Sequence, residues 1–242
     1  MRKPRVLVLL IALILALAAP PALAREGDAP AQSPPAAKAE TFTRVLGAPV
    51  AVPRSNVHVF YEARATCPAG QTPTGGGPKV SPYYNPLPVI SSYASGPTWV
   101  VTVDGESDVD ATLWASVICS TAPHTQVFNG PITVGARTQG SLPALCPPGQ
   151  YATGGGGRVD LGVICSQSPH HHYWGDGTKL PLFHGTAHDL KACPSGTVTG
   201  GGALAVDTAI YESSFWENGW LAQAVNESAG HPEVRANVVC KD

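Results

Sequence analysis

After the first two dozen positions no apolar run approaches the roughly 20 residues a helix needs to cross a bilayer, so the chain beyond them is expected to have no membrane span. Charge is scarce as well: Asp, Glu, Lys and Arg together make up 13% of the 242 residues. Setting aside residues 1–24 removes Arg2, Lys3 and Arg5, which leaves 12 basic residues against 17 acidic ones and a net charge of −5. Without a basic surplus there is nothing to attract a polyanion, and nucleic acid and anionic membrane surfaces are excluded as partners. Helical periodicity is also missing, because no stretch longer than ten residues repeats its apolar positions at helical spacing. C-x-x-C, H-E-x-x-H and G-x-S-x-G are all absent. Zinc knuckles, zinc proteases and nucleophile-elbow hydrolases are therefore not encoded. With all six cysteines bridged, no thiol nucleophile remains, so neither an enzyme nor a cofactor is expected.

The first 24 residues read as a secretory signal peptide. Arg2, Lys3 and Arg5 precede the apolar run Val6–Ala19, and Ala22, Leu23 and Ala24 supply a small-residue cleavage site. The destination is then extracellular and oxidising, where six cysteines are most simply disulfides. Residues 25–56 are rich in Pro and Ala and read as an extended arm. Residues 57–242 carry short β-branched and aromatic runs bounded by Gly, Pro, Asp and Ser, such as TWVVTVDG and ATLWASVIC. These are strand signals.

Self-comparison adds the repeat. CPAGQTPTGGG begins at Cys67, CPPGQYATGGGG at Cys146 and CPSGTVTGGG at Cys193. Each triplet is followed by an isoleucine, at 90, 164 and 210, and then by a tryptophan, at 99, 174 and 220. Trp99 to Cys119 and Trp220 to Cys240 are both 20 residues. Three degenerate copies follow, at about 57–119, 136–192 and 186–242, with the second shortened and the first carrying extra residues around SPYYNP. Six cysteines allow 15 pairings. The repeat favours Cys67–Cys119, Cys146–Cys165 and Cys193–Cys240, with Cys165–Cys193 as the competing bridge. No Lys-Ser/Thr follows the glycines, so they are not a phosphate loop; glycine there serves a bulge or a close backbone approach. The expected fold is all-β, with three or four strands per repeat in a β-prism-like, pseudo-threefold, disulfide-tied arrangement.

Candidate binding residues lie between each isoleucine and tryptophan, in SSYASGPT, CSQSPHHHY and YESSFWENG. Tyr93, Tyr173, Phe215 and Trp216 could stack on sugar rings or fill a partner's pocket. Trp99, Trp174 and Trp220 hold one register and are expected in the core. His170, His172, His184 and His188 are the candidate metal ligands. Asp104, Glu106, Asp108 and Asp110 alternate like a calcium loop but lack its glycine and its bidentate Glu, and a polar hairpin explains them. Asn226-Glu227-Ser228 is a glycosylation sequon that also reads as a hairpin turn. In the arm, Phe42, Arg44, Val45 and Leu46 could add as a strand to a partner or enter its groove.

The C-P-x-G…T-G-G-G unit resembles the repeats of secreted bacterial, especially actinobacterial, β-rich proteins over most of residues 57–242. It also looks like the three-sheet prism of the vitelline membrane outer layer family. Both resemblances imply a fold and not an activity. The layout of export signal, small body and protruding arm is similar to the small adaptor subunits of actinobacterial umbrella toxin particles. The function expected is a secreted, non-enzymatic adaptor that presents loops and an arm to an extracellular protein partner. The alternatives are a lectin-like module for glycan or cell wall, and an inhibitor of an extracellular protease in which Arg44-Val45 mimics a substrate.

Overall fold

A computed structural model describes residues 39–82, 87–130, 143–157, 161–182, 184–205, 208–226 and 228–242. The expected signal peptide, the arm as far as Lys38, the insertion at Tyr83–Pro86 and Glu227 of the sequon lie outside them. The described residues form seventeen strands and no helix, the all-β, prism-like repeat fold that the strand signals predict.

The first copy comprises β1 (Phe42–Leu46), β2 (Val50–Val52), β3 (Phe60–Thr66), β4 (Thr72–Ser81), β5 (Val89–Ser95), β6 (Thr98–Asp104) and β7 (Ala111–Ser120). The second has β8 (Thr125–Asn129), β9 (Tyr151–Gly157) and β10 (Leu161–Ser166). The third has β11 (His171–Trp174), β12 (Thr178–Lys179), β13 (Thr186–Ala192), β14 (Thr197–Ala205), β15 (Thr208–Trp216), β16 (Gly219–Asn226) and β17 (Glu233–Lys241). In each copy the glycine-triplet strand pairs with the strand that ends in the last cysteine: β4 with β7, β9 with β10, β14 with β17. Three outer strands, β3-β6-β5 or β13-β16-β15, complete copies one and three; the first set continues through β9 into a six-stranded sheet with β10 and β8, whereas the second stands as a sheet of its own. The described residues of copy two contain no counterpart of these three strands.

The boundaries therefore fall elsewhere than the spacing implies. Gly154 faces Ile164 just as Gly75 faces Ile118 and Gly200 faces Val239. Val163-Ile164-Cys165 is thus the closing strand of copy two, equivalent to Val117-Ile118-Cys119 and Val238-Val239-Cys240. Ile164 does not match Ile90 or Ile210, and Trp174 does not match Trp99 or Trp220; counting along the chain ran across a deletion. The arm ends early too. Phe42–Leu46 and Val50–Val52 pair with β7, as β11 and β12 pair with β17 and β8 with β10. The body begins at Ala39.

The bridges Cys67–Cys119, Cys146–Cys165 and Cys193–Cys240 now occupy one equivalent position, each tying the first cysteine of a copy to its last strand. Their separations of 52, 19 and 47 residues differ because copies one and three carry a hairpin, β5–β6 or β15–β16, between their cysteines and copy two has none there. Closing loops of this size stabilises by about 3–4 kcal/mol each on the chain-entropy model.

The glycines carry the threefold packing. Thr74, Thr153 and Thr199 donate to the carbonyls of Ile118, Ile164 and Val239 at 3.1, 3.2 and 3.2 Å. The glycine after each threonine meets the next copy in cyclic order. A Cβ on Gly75 would lie 2.7 Å from the Gly200 Cα, one on Gly154 would overlap the Thr74 carbonyl, and one on Gly200 would overlap the Thr153 carbonyl. The second glycine seats the tryptophan of its own outer sheet: Gly76 lies under Trp99 and Gly201 under Trp220. Both rings are fully buried, and each indole N–H donates to a serine hydroxyl, Ser92 or Ser213, at 3.0 Å. The third glycine admits the neighbouring outer sheet, with Gly77 against the Ser213 carbonyl and Gly156 against that of Ser92. A Cβ on Gly202 would meet nothing within 4 Å.

This geometry sets a contrast. Gly77→Ala is expected to lose about 1–3 kcal/mol through overpacking against backbone, whereas Gly202→Ala is expected to stay within about 0.5 kcal/mol of the parent. Urea unfolding of the two variants measures the difference, and equal losses would contradict the packing.

Candidate functional site

The outer sheet of copy three presents exposed apolar side chains beside a cavity. Pairing places His188, Gln223 and Glu212 in one cross-strand row, and Leu190, Leu221 and Ser214 in the next. Trp216 ends the β15 side of that face, opposite Gly219. Trp220, Ala222 and Ala224 point the other way into the core, so this face looks outward. Leu190 and Trp216 are 47% and 46% exposed. They border a cavity of about 280 Å³ that also touches His188, Leu221 and Gln223. Lys79 stands over the Trp216 ring at 5.4 Å. Beneath lie Glu212, buried and accepting from the Ser214 hydroxyl at 2.8 Å, and a buried Gln223 side-chain oxygen with no hydrogen-bond partner. Burial pushes the Glu212 carboxyl above the usual range, although Ser214 and Lys79 oppose it.

Copy one provides the internal comparison. Where copy three has His188, Leu190 and Trp216, the matching rows of β3, β6 and β5 carry Glu62, Arg64 and Ser95. Arg64 and Glu62 pair at 2.7 Å. Val100 and Tyr93 complete the row of Arg64, so copy one's face is not polar throughout, but the same backbone accepts Arg and Ser where copy three has Leu and Trp.

The other candidate residues scatter. Tyr93, Phe215 and Trp216 lie in β5 and β15 and Tyr173 in β11, all in strands rather than loops. Tyr93 matches Ser214 and not another aromatic, so the aromatics are not quasi-equivalent. Phe215 and Tyr173 are partly buried against the core of copy three. Arg44 stacks on Phe215 at 5.6 Å. Phe42, Arg44, Val45 and Leu46 are paired to Ser120, Ile118, Val117 and Ser116 in β7. Trp174, expected in the core, is 52% exposed on β11 because it belongs to the edge-strand register.

The four candidate histidines do not converge. His170 is buried; His172 bonds the Ala152 carbonyl at 2.9 Å through Nε2; His184 occupies a positive-φ turn, and His188 belongs to the apolar face. Among the described residues, the His/carboxylate group whose ligand atoms lie close enough to share an ion is His58, Asp104 and Glu106. His58 Nδ1 is 2.6 Å from Asp104 and 3.3 Å from Glu106, an ion pair across the β3–β6 pairing. Asp110 accepts from the Arg54 amide at 2.8 Å. Asp104 also accepts the Glu106 amide at 3.1 Å, a local turn bond, whereas Asp110 anchors a segment 56 residues away.

One constellation escaped the sequence reading, though its signal was present. C-S-x-x-P-H occurs at Cys119–His124 and again at Cys165–His170. Each Ser hydroxyl accepts the amide two residues on, from Ala122 at 2.9 Å and Ser168 at 3.1 Å. Each His Nδ1 donates to the carbonyl of that same residue, at 3.0 and 2.8 Å. Both Nε2 atoms are therefore bare acceptors, buried and without a partner, with the ring centroids 6.1 Å apart. The Glu40 carboxylate lies 3.9 Å from His124 Nε2 and is held by Lys241 and Ser120. Burial would raise its pKa, but these hydrogen bonds together hold it below the usual carboxylate range.

Burial also lowers the pKa of His124 and His170, with the carbonyl bonds and Glu40 opposing. A depressed histidine pKa means that the unfolded chain takes up the proton first. The stability is present above about pH 6.5 and falls as acid approaches the lower folded values. Thermal melts from pH 7.5 to 5 are expected to show a steeper loss for the parent than for a His124→Gln/His170→Gln double variant. Parallel curves would refute the burial argument. No protein-family model matches the chain, and no curated protein matches it as a relative.

Proposed function

We propose that the protein is a secreted, non-enzymatic adaptor that engages an extracellular protein partner through the outer face of its third copy. The support is the copy-to-copy substitution. Copy one has Glu62, Arg64 and Ser95 on a scaffold position where copy three has His188, Leu190 and Trp216. A half-exposed Trp beside Leu over a buried Gln and Glu has the character of a protein contact, an aromatic anchor flanked by partly desolvated polar groups. Secretion rests on the residues 1–24 and agrees with three disulfides; no described helix is long and apolar enough to cross a membrane. A place in a toxin particle rests on the resemblance of the layout to umbrella-toxin adaptor subunits. A docking arm, in this reading, is confined to residues 25–38, ahead of the paired Phe42–Leu46.

The test returns copy-one residues to copy three. A Leu190→Arg/Trp216→Ser variant is expected to melt within about 2 °C of the parent. It should fail to recover the protein that the parent captures from native culture fluid. Equal recovery by the variant would overturn the assignment of the face, and recovery of no partner by the parent would overturn the adaptor reading.

A further inference from the structure

The prism has three junctions where the outer sheet of one copy meets the triplet strand of the next, and two are filled. Copy one's β5 meets β9 of copy two, pairing Ser92 with Gly157 while Gly156 admits the Ser92 carbonyl. Copy three's β15 covers β4 of copy one, with Gly77 admitting the Ser213 carbonyl. The third junction would set an outer sheet of copy two against β14, and the described residues of copy two hold none. β14 pairs with β17 along one edge, and no described strand pairs with the other.

Five observations mark this place as a receptor for a strand. A Cβ on Gly202, at the position of Gly77 and Gly156, would meet nothing within 4 Å. Gly155, which corresponds to the tryptophan seats Gly76 and Gly201, is exposed. A cavity of about 500 Å³ runs between them, touching Gly155, Gly156, Gly202, Ala203, Ser91 and Thr208. The Ser91 and Thr208 hydroxyls at its wall are buried and have no hydrogen-bond partner. The edge itself is uncharged from Gly200 to Ala205, whereas β3 carries a Glu62–Arg64 ion pair and β1, β2, β11 and β12 have five residues or fewer. Unprotected edges invite strand addition, and natural sheets usually blunt them.

We propose that the edge of β14 left unpaired among the described residues, with the cavity beside it, binds a β-hairpin of a partner protein, which supplies in trans the counterpart of β5–β6 that the described residues of copy two do not contain. The filled junctions define what fits. A first strand runs antiparallel to β14 with a small residue, as Ser92 is, opposite Ala203, the counterpart of Gly157. A second strand brings an aromatic ring down on Gly155, as Trp99 lies on Gly76. Ala203 has an amide N–H to offer, unlike Pro78 at the same place in β4. The inference deepens the adaptor reading by adding a second contact separate from the Leu190–Trp216 face.

The probe is a disulfide-cyclised synthetic peptide covering residues 89–104, the β5–β6 hairpin, titrated into the full disulfide-bonded chain by calorimetry and amide NMR. Saturable one-to-one binding is expected, with shifts centred on residues 200–205 and 154–156. Gly202→Val should weaken it at least tenfold while leaving the melting temperature unchanged, since its side chain meets only open space. A peptide with Trp99→Ala should bind at least fivefold more weakly. The Leu190→Arg/Trp216→Ser variant should bind the peptide as the parent does, so failure here is separable from failure of the apolar face. Absence of binding, or equal binding by Gly202→Val, overturns the proposal. A concentration-dependent dimer abolished by Gly202→Val also overturns it, because the occupant would then be a second copy of this chain.

Discussion

Backbone-to-backbone contact at the pseudo-threefold axis is the constraint from which the rest of the molecule follows. Thr74, Thr153 and Thr199 use their hydroxyls on the carbonyls of their own closing strands, and the next residue must then lie against the backbone of a neighbouring copy with no room for a Cβ. Glycine at 75, 154 and 200 is the only solution for strands that approach this closely. Once the first glycine is fixed, the second and third face the copy's own tryptophan and the neighbour's outer sheet. A run of three glycines, poor in β-propensity and costly in entropy, is retained because three successive residues each meet a different obstruction.

The axis also makes the copies share their cores. Ile118 of copy one packs with Trp220 and Val238 of copy three, and Ile164 of copy two packs with Trp99 and Val101 of copy one. No copy can bury its apolar face alone, which is the general condition of repeat architectures. The disulfides act on a different link. Each ties the entry of a triplet strand to the exit of its partner strand, holding locally the pairing that the axis needs. This explains how copy two keeps its bridge with no hairpin like β5–β6 between its cysteines: the missing hairpin would connect β9 and β10, and its absence disturbs neither strand.

What the sequence made legible was the periodic part. The cysteine and triplet spacing encodes an all-β repeat and a single set of equivalent bridges, because the bridge and the first glycine of each triplet meet equivalent surroundings in all three copies. The deletion was misread for a physical reason. Ile164 and Trp174 fall at nearly the distances of Ile210 and Trp220, yet spacing does not distinguish a closing strand from the first strand of a hairpin. Only the partner does, and Ile164 faces Gly154. Likewise Phe42–Leu46 looked like a free arm because an edge strand pairs with residues some 70 positions away, and nothing local in TFTRVLG announces it. The paired histidines were visible as C-S-x-x-P-H, but the Glu40–Lys241 pair beside them joins residues 201 positions apart, which no local pattern announces.

Repetition within one chain also separates scaffold from use more sharply than burial does. Where the copies agree, as at Thr-Gly or at Trp99 and Trp220, the shared residue has a packing role that the axis dictates. Where they disagree at matched positions, the fold accepts both residues and the difference needs another cause. Arg64 and Leu190 occupy one place on two equivalent sheets, and so do Ser95 and Trp216. A leucine or tryptophan exposed singly on a surface requires no explanation. Here the two stand side by side on a backbone that carries an ion pair and a serine equally well elsewhere. The same reasoning applies to Gly202: the glycine persists although its obstruction is gone, and a strand edge kept open beside a cavity with two unpartnered hydroxyls retains the shape of what once filled it or still does. The two surfaces most free of structural duty are thus those at which the three copies have stopped being alike.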